Sequence, residues 1–208
     1  LYDWNAYVLK SSQAQEGAAV APTIHYTSAV EPMPLSQVPA TLGENLLVNG
    51  GFDGDAGWTA ISMYDEQSEG NGLVTIANGE ATFSETVTGE YSKHMALYTM
   101  VDLQPGTYQF DMDMTFSDIQ GVFGEVYIGV DPPIDGLEFN GDQRVMVAFH
   151  MSTCPDLVTY SGRATEASCE AVASPGRFQI TAAGTYYLLF RSGFDTFGPS
   201  GIVLDNIT

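Results

Sequence analysis

From residue 45 onward, the sequence is a succession of short segments with strand character, separated by turn-forming residues. The clearest segment runs from Thr107 to Phe116, where the even positions are apolar and the odd positions are polar. This period of two is typical of a strand with one face in a core and the other in water. The candidate strands are 45–49, 72–77, 79–86, 95–103, 106–116, 122–130, 143–151, 176–182, 184–191 and 201–207.

The turn signals between these segments include Asn78-Gly79, Pro105-Gly106 and Pro175-Gly176. Roughly ten short strands at this spacing predict an all-β fold, an antiparallel β-sandwich of the jelly-roll type. The segments 103–108 and 181–186 echo each other, because each carries a Gly-Thr-Tyr sequence after a turn. We interpret this similarity as the same type of turn leading into a strand at both places.

The charge balance excludes several classes of function. Acidic residues number 26 against 6 basic ones, for a formal net charge of −20. Such a surface repels phosphate backbones and anionic lipid surfaces, which argues against nucleic-acid binding. No apolar run is long enough for a membrane-spanning segment. An extracellular or cell-surface location is expected, and a start at Leu1 without a leader is expected of a mature secreted chain.

Residues 1–43 are expected to form an extended N-terminal arm, distinct from the sandwich domain at 45–208. Pro32, Pro34 and Pro39 exclude a helix there, and the arm has too few apolar residues to fold alone. It is expected either to dock on its own domain, completing a sheet edge, or to add a strand to a neighbouring copy. The side chains expected to make these contacts are Tyr2, Trp4, Tyr7, Ile24, Tyr26 and Val30.

The two cysteines, Cys154 and Cys169, are 15 positions apart and match no metal or redox motif. One interpretation is a disulfide that closes a surface loop, which would contribute about 3 kcal/mol through loop entropy. The alternative is a pair of buried thiols.

Catalytic signals are weak. His25, His94 and His150 lie near no serine or cysteine in a recognised motif, and nucleotide-binding and metalloprotease motifs are absent. Asp111 and Asp113 alternate on one strand and are interpreted as part of a solvated face. The sequence therefore predicts a protein that is not an enzyme.

Both ends of the predicted sandwich carry a family resemblance. Asn-Leu-Leu-Val-Asn-Gly-Gly-Phe-Asp at 45–53, followed by Gly57-Trp58-Thr59, resembles the opening of carbohydrate-binding-module-like jelly rolls, which are galactose-binding-like β-sandwiches of secreted bacterial surface proteins. Gly-Ile-Val-Leu-Asp-Asn-Ile at 201–207 resembles their closing strand. The resemblance implies the jelly-roll fold and, as a function, recognition of a polysaccharide.

The resemblance also implies a structural calcium ion between the first and last strands. By position, Asp53 and Asp205 would supply oxygen ligands, and Asp55 lies in the same acidic turn as Asp53. Asparagines beside them could add more. The alternative is that Asp53 and Asp55 only form the turn, and that Asp205 hydrogen-bonds to the backbone.

Candidate glycan or partner contacts are aromatic. Trp58 offers a face for a sugar ring, although in the resembling family this residue packs near the core. Phe194 and Phe197 are placed in a predicted loop at 192–199, where exposed aromatic side chains often mark a binding site. Most aromatic residues on alternating strands, among them Tyr98 and Tyr127, are expected in the core.

Two functions from different classes remain. The first is a structural or adhesive subunit of an extracellular filament or surface layer, which polymerises with copies of itself through the arm. The second is a carbohydrate-binding module whose loops or sheet hold a polysaccharide. The length of the arm favours the first function, and the family resemblance favours the second.

Overall fold

The computed structural model describes residues 30–32, 43–62, 72–85, 94–119, 121–137, 143–149, 154–166, 176–194 and 201–208. These residues contain thirteen β-strands and no helix. Accordingly, no described helix is long and apolar enough to cross a membrane. The strands are β1 (Val30–Pro32), β2 (Thr59–Ser62), β3 (Gly72–Ala77), β4 (Glu80–Glu85), β5 (Met95–Leu103), β6 (Gly106–Gln109), β7 (Asp113–Phe116), β8 (Val122–Gly129), β9 (Gln143–Phe149), β10 (Tyr160–Arg163), β11 (Arg177–Ile180), β12 (Gly184–Phe194) and β13 (Gly201–Asp205).

The strands form two large sheets and one small one. Sheet I has the order β10-β7-β13-β4-β3, sheet II has the order β2-β5-β12-β8-β9, and the small sheet has the order β1-β11-β6. Every pair of neighbouring strands is antiparallel. The predicted all-β antiparallel sandwich is therefore confirmed.

The main core lies between sheets I and II. Phe83 on β4 meets Phe190 on β12 edge-to-face, with ring centroids 4.8 Å apart. Phe116 on β7 stacks on Phe149 on β9 at 5.0 Å. Each contact joins a strand of sheet I to a strand of sheet II, so the inner faces of the two sheets pack directly on each other.

The segment predicted as one strand, 106–116, is two strands in different sheets. Residues 110–112, between the two strands, belong to neither sheet. There the Phe110 N–H donates to the Gly176 carbonyl at 2.6 Å, and Asp111 exchanges backbone hydrogen bonds with Thr208. The apolar alternation nevertheless continues across the break, since Phe110 and Met112 are both buried. The chain thus changes sheets while keeping the same face toward the core.

The echoed Gly-Thr-Tyr segments adopt the same local structure, as predicted. The Tyr108 hydroxyl donates to the Gln104 carbonyl at 2.8 Å, four residues upstream. The Tyr186 hydroxyl donates to the Ala182 carbonyl over the same span and at the same distance. Each tyrosine therefore closes the turn that leads into its strand, β6 in one case and β12 in the other.

The described part of the arm docks within its own chain. Strand β1 pairs with β11, in the register Val30 to Ile180 and Pro32 to Phe178. For these three residues the structure corresponds to the first alternative, completion of a sheet edge of the same chain. Tyr2, Trp4, Tyr7, Ile24 and Tyr26 lie outside the described residues, and the division into 1–43 and 45–208 stays a prediction.

Two predictions about individual segments are corrected or remain open. Residues 45–49 do not form a strand; they run as an irregular segment into a turn. Cys154 is buried, and the described residues include no free cysteine. Its predicted partner, Cys169, lies outside the described residues, so the disulfide between them stays a prediction.

Candidate functional site

The first turn, which carries two of the predicted calcium ligands, is organised by Asn49. Its side-chain amide donates to the carbonyls of Gly54 and Ala56, and its Oδ1 accepts the N–H of Asp53 at 2.6 Å. Asn49 has φ of 62°, a conformation that asparagine tolerates better than most residues. Asp53 and Asp55 are exposed on this turn.

The closing segment is held by a different set of hydrogen bonds. Asp205 accepts the N–H and the side-chain amide of Asn206, and that amide also donates to Asp113 at 2.9 Å. The two ends of the domain meet nearby, because the Ile207 N–H donates to the Gly50 carbonyl at 2.9 Å and Asn45 donates to the Ile207 carbonyl. Direct hydrogen bonds therefore make the connection that was expected from a calcium ion.

The predicted calcium ligands belong to two hydrogen-bonded segments, Asp53 and Asp55 to the first turn and Asp205 to the closing segment. Within the described ranges, no three acidic, histidine or cysteine side chains form a group that could hold a metal ion. Asp53, Asp55 and Asp205 therefore do not form a three-carboxylate group of this kind. Calcium binding itself stays a prediction, and an unchanged unfolding midpoint after chelation would exclude a stabilising ion.

Asp111 and Asp113 are not simply solvated, as the sequence had suggested. Arg163 on β10 donates from Nε to Asp111 at 3.0 Å and from Nη1 to Asp113 at 3.3 Å, and it also reaches the Asn206 carbonyl and the Thr208 hydroxyl. Partial burial lowers the pKa of Arg163, but the two carboxylates outweigh that effect and raise it above its usual value. The guanidinium group thus connects the closing segment, through Asn206 and Thr208, to β7 and β10 of sheet I.

The predicted glycan contacts have other positions. Trp58 is 8% exposed, packs on Phe52 and donates from Nε1 to the Asn49 carbonyl, so it lies in the core, as the family resemblance implied. Phe194 does not lie in a loop, because β12 extends to it and pairs it with Val122. Phe197 lies outside the described residues.

A second apolar cluster, which sequence reasoning missed, lies on the outer face of sheet II. It contains Ala96, Tyr127 and Leu189, with Ile61 and Tyr98 packed against it. Their neighbours along the same strands, such as Leu97, Val126 and Leu188, belong to the main core. Since successive side chains on a strand point to opposite faces, the second cluster is on the side away from sheet I.

Three tyrosines lie on this outer side of sheet II. Tyr98 on β5 and Tyr127 on β8 are both register partners of Leu189 on β12, and Tyr187 is the partner of Met100 in the next row. The rings of Tyr98 and Tyr187 are 6.1 Å apart with their planes tilted by 58°. Met100 beside them is 62% exposed. We call the surface formed by Tyr98, Met100 and Tyr187, next to the buried Tyr127, the tyrosine face.

A buried ion pair adjoins the tyrosine face in the row beyond Tyr127. Arg191 on β12 donates to Oε2 of Glu125 on β8, at 3.0 Å from its Nε, and the Tyr127 hydroxyl donates to the same oxygen at 2.7 Å. The guanidinium carbon lies 5.4 Å from the ring centroids of both Phe123 and Tyr127. This arrangement combines an ion pair with two cation–π contacts.

Gly193 lies against the rings of His94 and Phe123, beside the Arg191–Glu125 ion pair. A Cβ atom at this position would lie 2.5 Å from both His94 Cδ2 and Phe123 Cε1. Its absence lets the His94 and Phe123 rings meet edge-to-face at 4.9 Å. The sequence offered no signal for this cluster, because its members come from distant segments.

Comparison with known proteins identifies neither a matching family model nor a matching curated protein. Among solved structures, the chain is similar to a carbohydrate-binding module (TmCBM61) in complex with beta-1,4-galactotriose. The identity is 14% and the TM-score 0.46, over 79% of this chain and 97% of the module.

Two further solved structures show a similar degree of likeness. The enzymatically active domain of tailspike protein 4 of bacteriophage CBA120 is 13% identical, with a TM-score of 0.36, over 78% of this chain and 21% of the other. The K3 cleaved adhesin domain of Lys-gingipain from Porphyromonas gingivalis is 17% identical, with a TM-score of 0.40, over 73% of this chain and 90% of the other. The solved structures similar to this chain thus include a module of the kind that the two ends of the sequence resemble.

Proposed function

We propose that this chain is a non-catalytic, extracellular or cell-surface carbohydrate-binding module that holds a polysaccharide on the tyrosine face of sheet II. The observation that carries the proposal is the position of Tyr98, Met100 and Tyr187. These three side chains lie on the outer face of an antiparallel sheet and not in the core between the sheets.

The chemistry of the tyrosine face suits a sugar chain. The outer face of a sandwich sheet is ordinarily polar, so the partly exposed Tyr98 and Tyr187 with an exposed Met100 form an unusual surface there, next to Tyr127, which is buried. A tyrosine ring offers an apolar face, and its hydroxyl offers a hydrogen bond at the edge. A pyranose ring has the complementary pattern, with C–H groups on its faces and hydroxyl groups around its rim.

Two of the described carboxylates are held in ion pairs, which supports binding without catalysis. A glycosidase of the usual kind needs two carboxyl groups placed on either side of the scissile bond. The carboxylate beside the tyrosine face, Glu125, is instead held by Arg191 and the Tyr127 hydroxyl. Asp111, between β6 and β7, is similarly engaged by Arg163.

The filament interpretation gains no comparable support. The described part of the arm, Val30–Pro32, pairs with β11 of its own chain. Polysaccharide binding has a candidate surface, the tyrosine face, and we therefore prefer this function.

The first test is substitution on the tyrosine face. Tyr98→Ala and Tyr187→Ala should each weaken binding to a soluble polysaccharide at least about tenfold, which corresponds to about 1.4 kcal/mol. Binding is measured by affinity electrophoresis against a panel of xylans, β-glucans and galactans, followed by calorimetry on the best ligand.

Leu73→Ala is the matched control, because Leu73 is an exposed apolar residue on β3 of sheet I. The control should bind as the unaltered chain does. The proposal fails if the unaltered chain binds no polysaccharide in the panel, or if the two tyrosine variants bind as tightly as the control.

A further inference from the structure

We infer that the outer face of the small sheet is a second part of the glycan-binding surface, where Arg177 and its neighbours hydrogen-bond to the hydroxyl groups of a long, uncharged sugar chain. The inference rests on the proposed function and extends it to the charge and length of the ligand. We call the surface formed by Thr107, Gln109, Arg177 and Gln179 the polar face.

The small sheet continues the central pair of strands of sheet II. The β5–β12 ladder ends with the pair Leu103 and Gly184, and the β6–β11 ladder begins with the pair Gly106 and Ile180. Only two residues on one side and three on the other separate these pairs. The four strands therefore form one interrupted, two-stranded antiparallel ribbon.

The polar face and the tyrosine face both point away from the main core. Phe178 and Ile180 on β11 belong to that core, as does Leu188 on β12. Because successive side chains on a strand alternate between its two sides, Arg177 and Tyr187 lie on the opposite side from these residues. The ten positions from Tyr187 to Arg177 span at most about 33 Å, a length that an extended oligosaccharide can cover.

Arg177 differs from the two other arginines whose side chains the structure describes. Arg163 and Arg191 are each paired with a carboxylate. Within the described residues, the side chain of Arg177 makes no ion pair and no hydrogen bond, and its Nε is buried without a partner. Of its guanidinium nitrogens, only Nε is buried in this way, so the two Nη groups are the donors open to a ligand.

The other side chains of the polar face are equally available. Gln109 is the register partner of Arg177, and Thr107 is the partner of Gln179. Such directly opposite residues have Cβ atoms about 4.5–5.5 Å apart. All four residues are at least partly exposed, and none of their side chains hydrogen-bonds to another residue that the structure describes. The polar face thus brings together a guanidinium group, two carboxamides and a hydroxyl group.

These groups suit the hydroxyl groups of a neutral sugar. A guanidinium group donates hydrogen bonds, a carboxamide both donates and accepts them, and a sugar hydroxyl group can match either. The polar face includes no aromatic ring, so it would add hydrogen bonds, whereas stacking is left to the tyrosine face. The net charge of −20 disfavours the approach of a polyanion.

The test compares a short and a long ligand, a trisaccharide and a decasaccharide of the best neutral polysaccharide. The trisaccharide is expected to occupy the tyrosine face alone. Arg177→Ala should weaken binding of the decasaccharide at least about tenfold and leave binding of the trisaccharide unchanged. Gln109→Ala should act in the same direction by a smaller factor. Tyr187→Ala should weaken both ligands, and Leu73→Ala should weaken neither.

The outcomes separate the inference from the proposed function. If the unaltered chain binds the decasaccharide and Arg177→Ala binds it equally well, the inference is overturned and the proposed function stands. Equal weakening of both ligands by Arg177→Ala would also overturn the inference, as would a preference of the unaltered chain for polygalacturonate. Binding of no polysaccharide would overturn both.

The unaltered chain provides a second readout that does not depend on the folding of any variant. The side-chain amide resonances of Gln109 and Gln179 in NMR spectra should shift when the decasaccharide is added, and should stay in place with the trisaccharide. Resonances that do not move at saturating decasaccharide would show that the sugar chain does not reach the polar face.

Discussion

At the scale of single residues, two neighbouring glycines differ in the space around them. A Cβ on Gly50 would lie 2.1 Å from the Ile207 carbonyl oxygen, whereas a Cβ on Gly51 meets nothing within 4 Å. Gly50 also accepts the hydrogen bond from Ile207, so it lies where the two ends of the domain meet. The motif Asn-Gly-Gly in the sequence does not distinguish the two positions.

Gly50→Ala should therefore lower the free energy of unfolding by about 1–3 kcal/mol, as expected when added atoms have no space. Gly51→Ala should change it by less than about 0.5 kcal/mol. Urea titration of both variants measures the difference. Equal stability of the two variants would show that the meeting of the two ends is not a tight contact in solution.

The stability that the Tyr186 hydroxyl gives to the turn before β12 is expected to depend on pH. Burial raises the pKa of this hydroxyl, and the nearby Tyr108 raises it further. A raised pKa in the folded state means that its contribution to stability is complete below the unfolded value of about 10, and is lost as the pH rises through the folded value.

Tyr186→Phe should cost about 1 kcal/mol at pH 8, because the hydrogen bond to the Ala182 carbonyl is lost. The stability difference between the two chains should shrink as the pH rises above 10, since ionisation penalises only the tyrosine. Chemical unfolding between pH 8 and pH 11.5 measures it, and a difference that stays constant with pH would contradict the assignment.

At the scale of elements, the arm is the clearest case. Strand β1 covers one edge of β11, whose other edge is already paired with β6. A chain that begins at Gly43 should therefore fold, lose little stability and keep its affinity for polysaccharide. Unfolding experiments, sedimentation and binding assays measure the three properties. If the full chain forms polymers that the shortened chain does not, the assembly interpretation is favoured instead.

The elements also show how far the sequence pattern extends. Alternation over 106–116 predicted which side chains are buried, and it did so correctly through Phe110 and Met112. It gave no sign that the chain changes sheets there, because the hydrogen-bond partners Gly176 and Thr208 are far away in sequence. At 45–49 the pattern was misleading: Leu46 and Val48 are 52% and 78% exposed, and Asn45 bonds to Ile207 in place of a strand ladder.

At the scale of the whole molecule, the candidate site lay beyond what the sequence could predict. Tyr98, Tyr127 and Tyr187 come from three strands, and each was as compatible with the core as with an outer face. Only the register that places β12 between β5 and β8 brings them to one surface. The Arg191–Glu125 pair spans 66 positions and depends on the same register.

The segment that joins β6 of the small sheet to β7 of sheet I has a consequence for how the molecule unfolds. Phe110 and Met112, between the two strands, belong to the main core, and the Phe110 N–H donates to the carbonyl of Gly176, the residue before β11. The small sheet cannot separate without pulling these side chains out of that core. Its amides on β6 and β11 are therefore expected to exchange with solvent only through the same global unfolding that exposes sheets I and II, as parts of one cooperative unit.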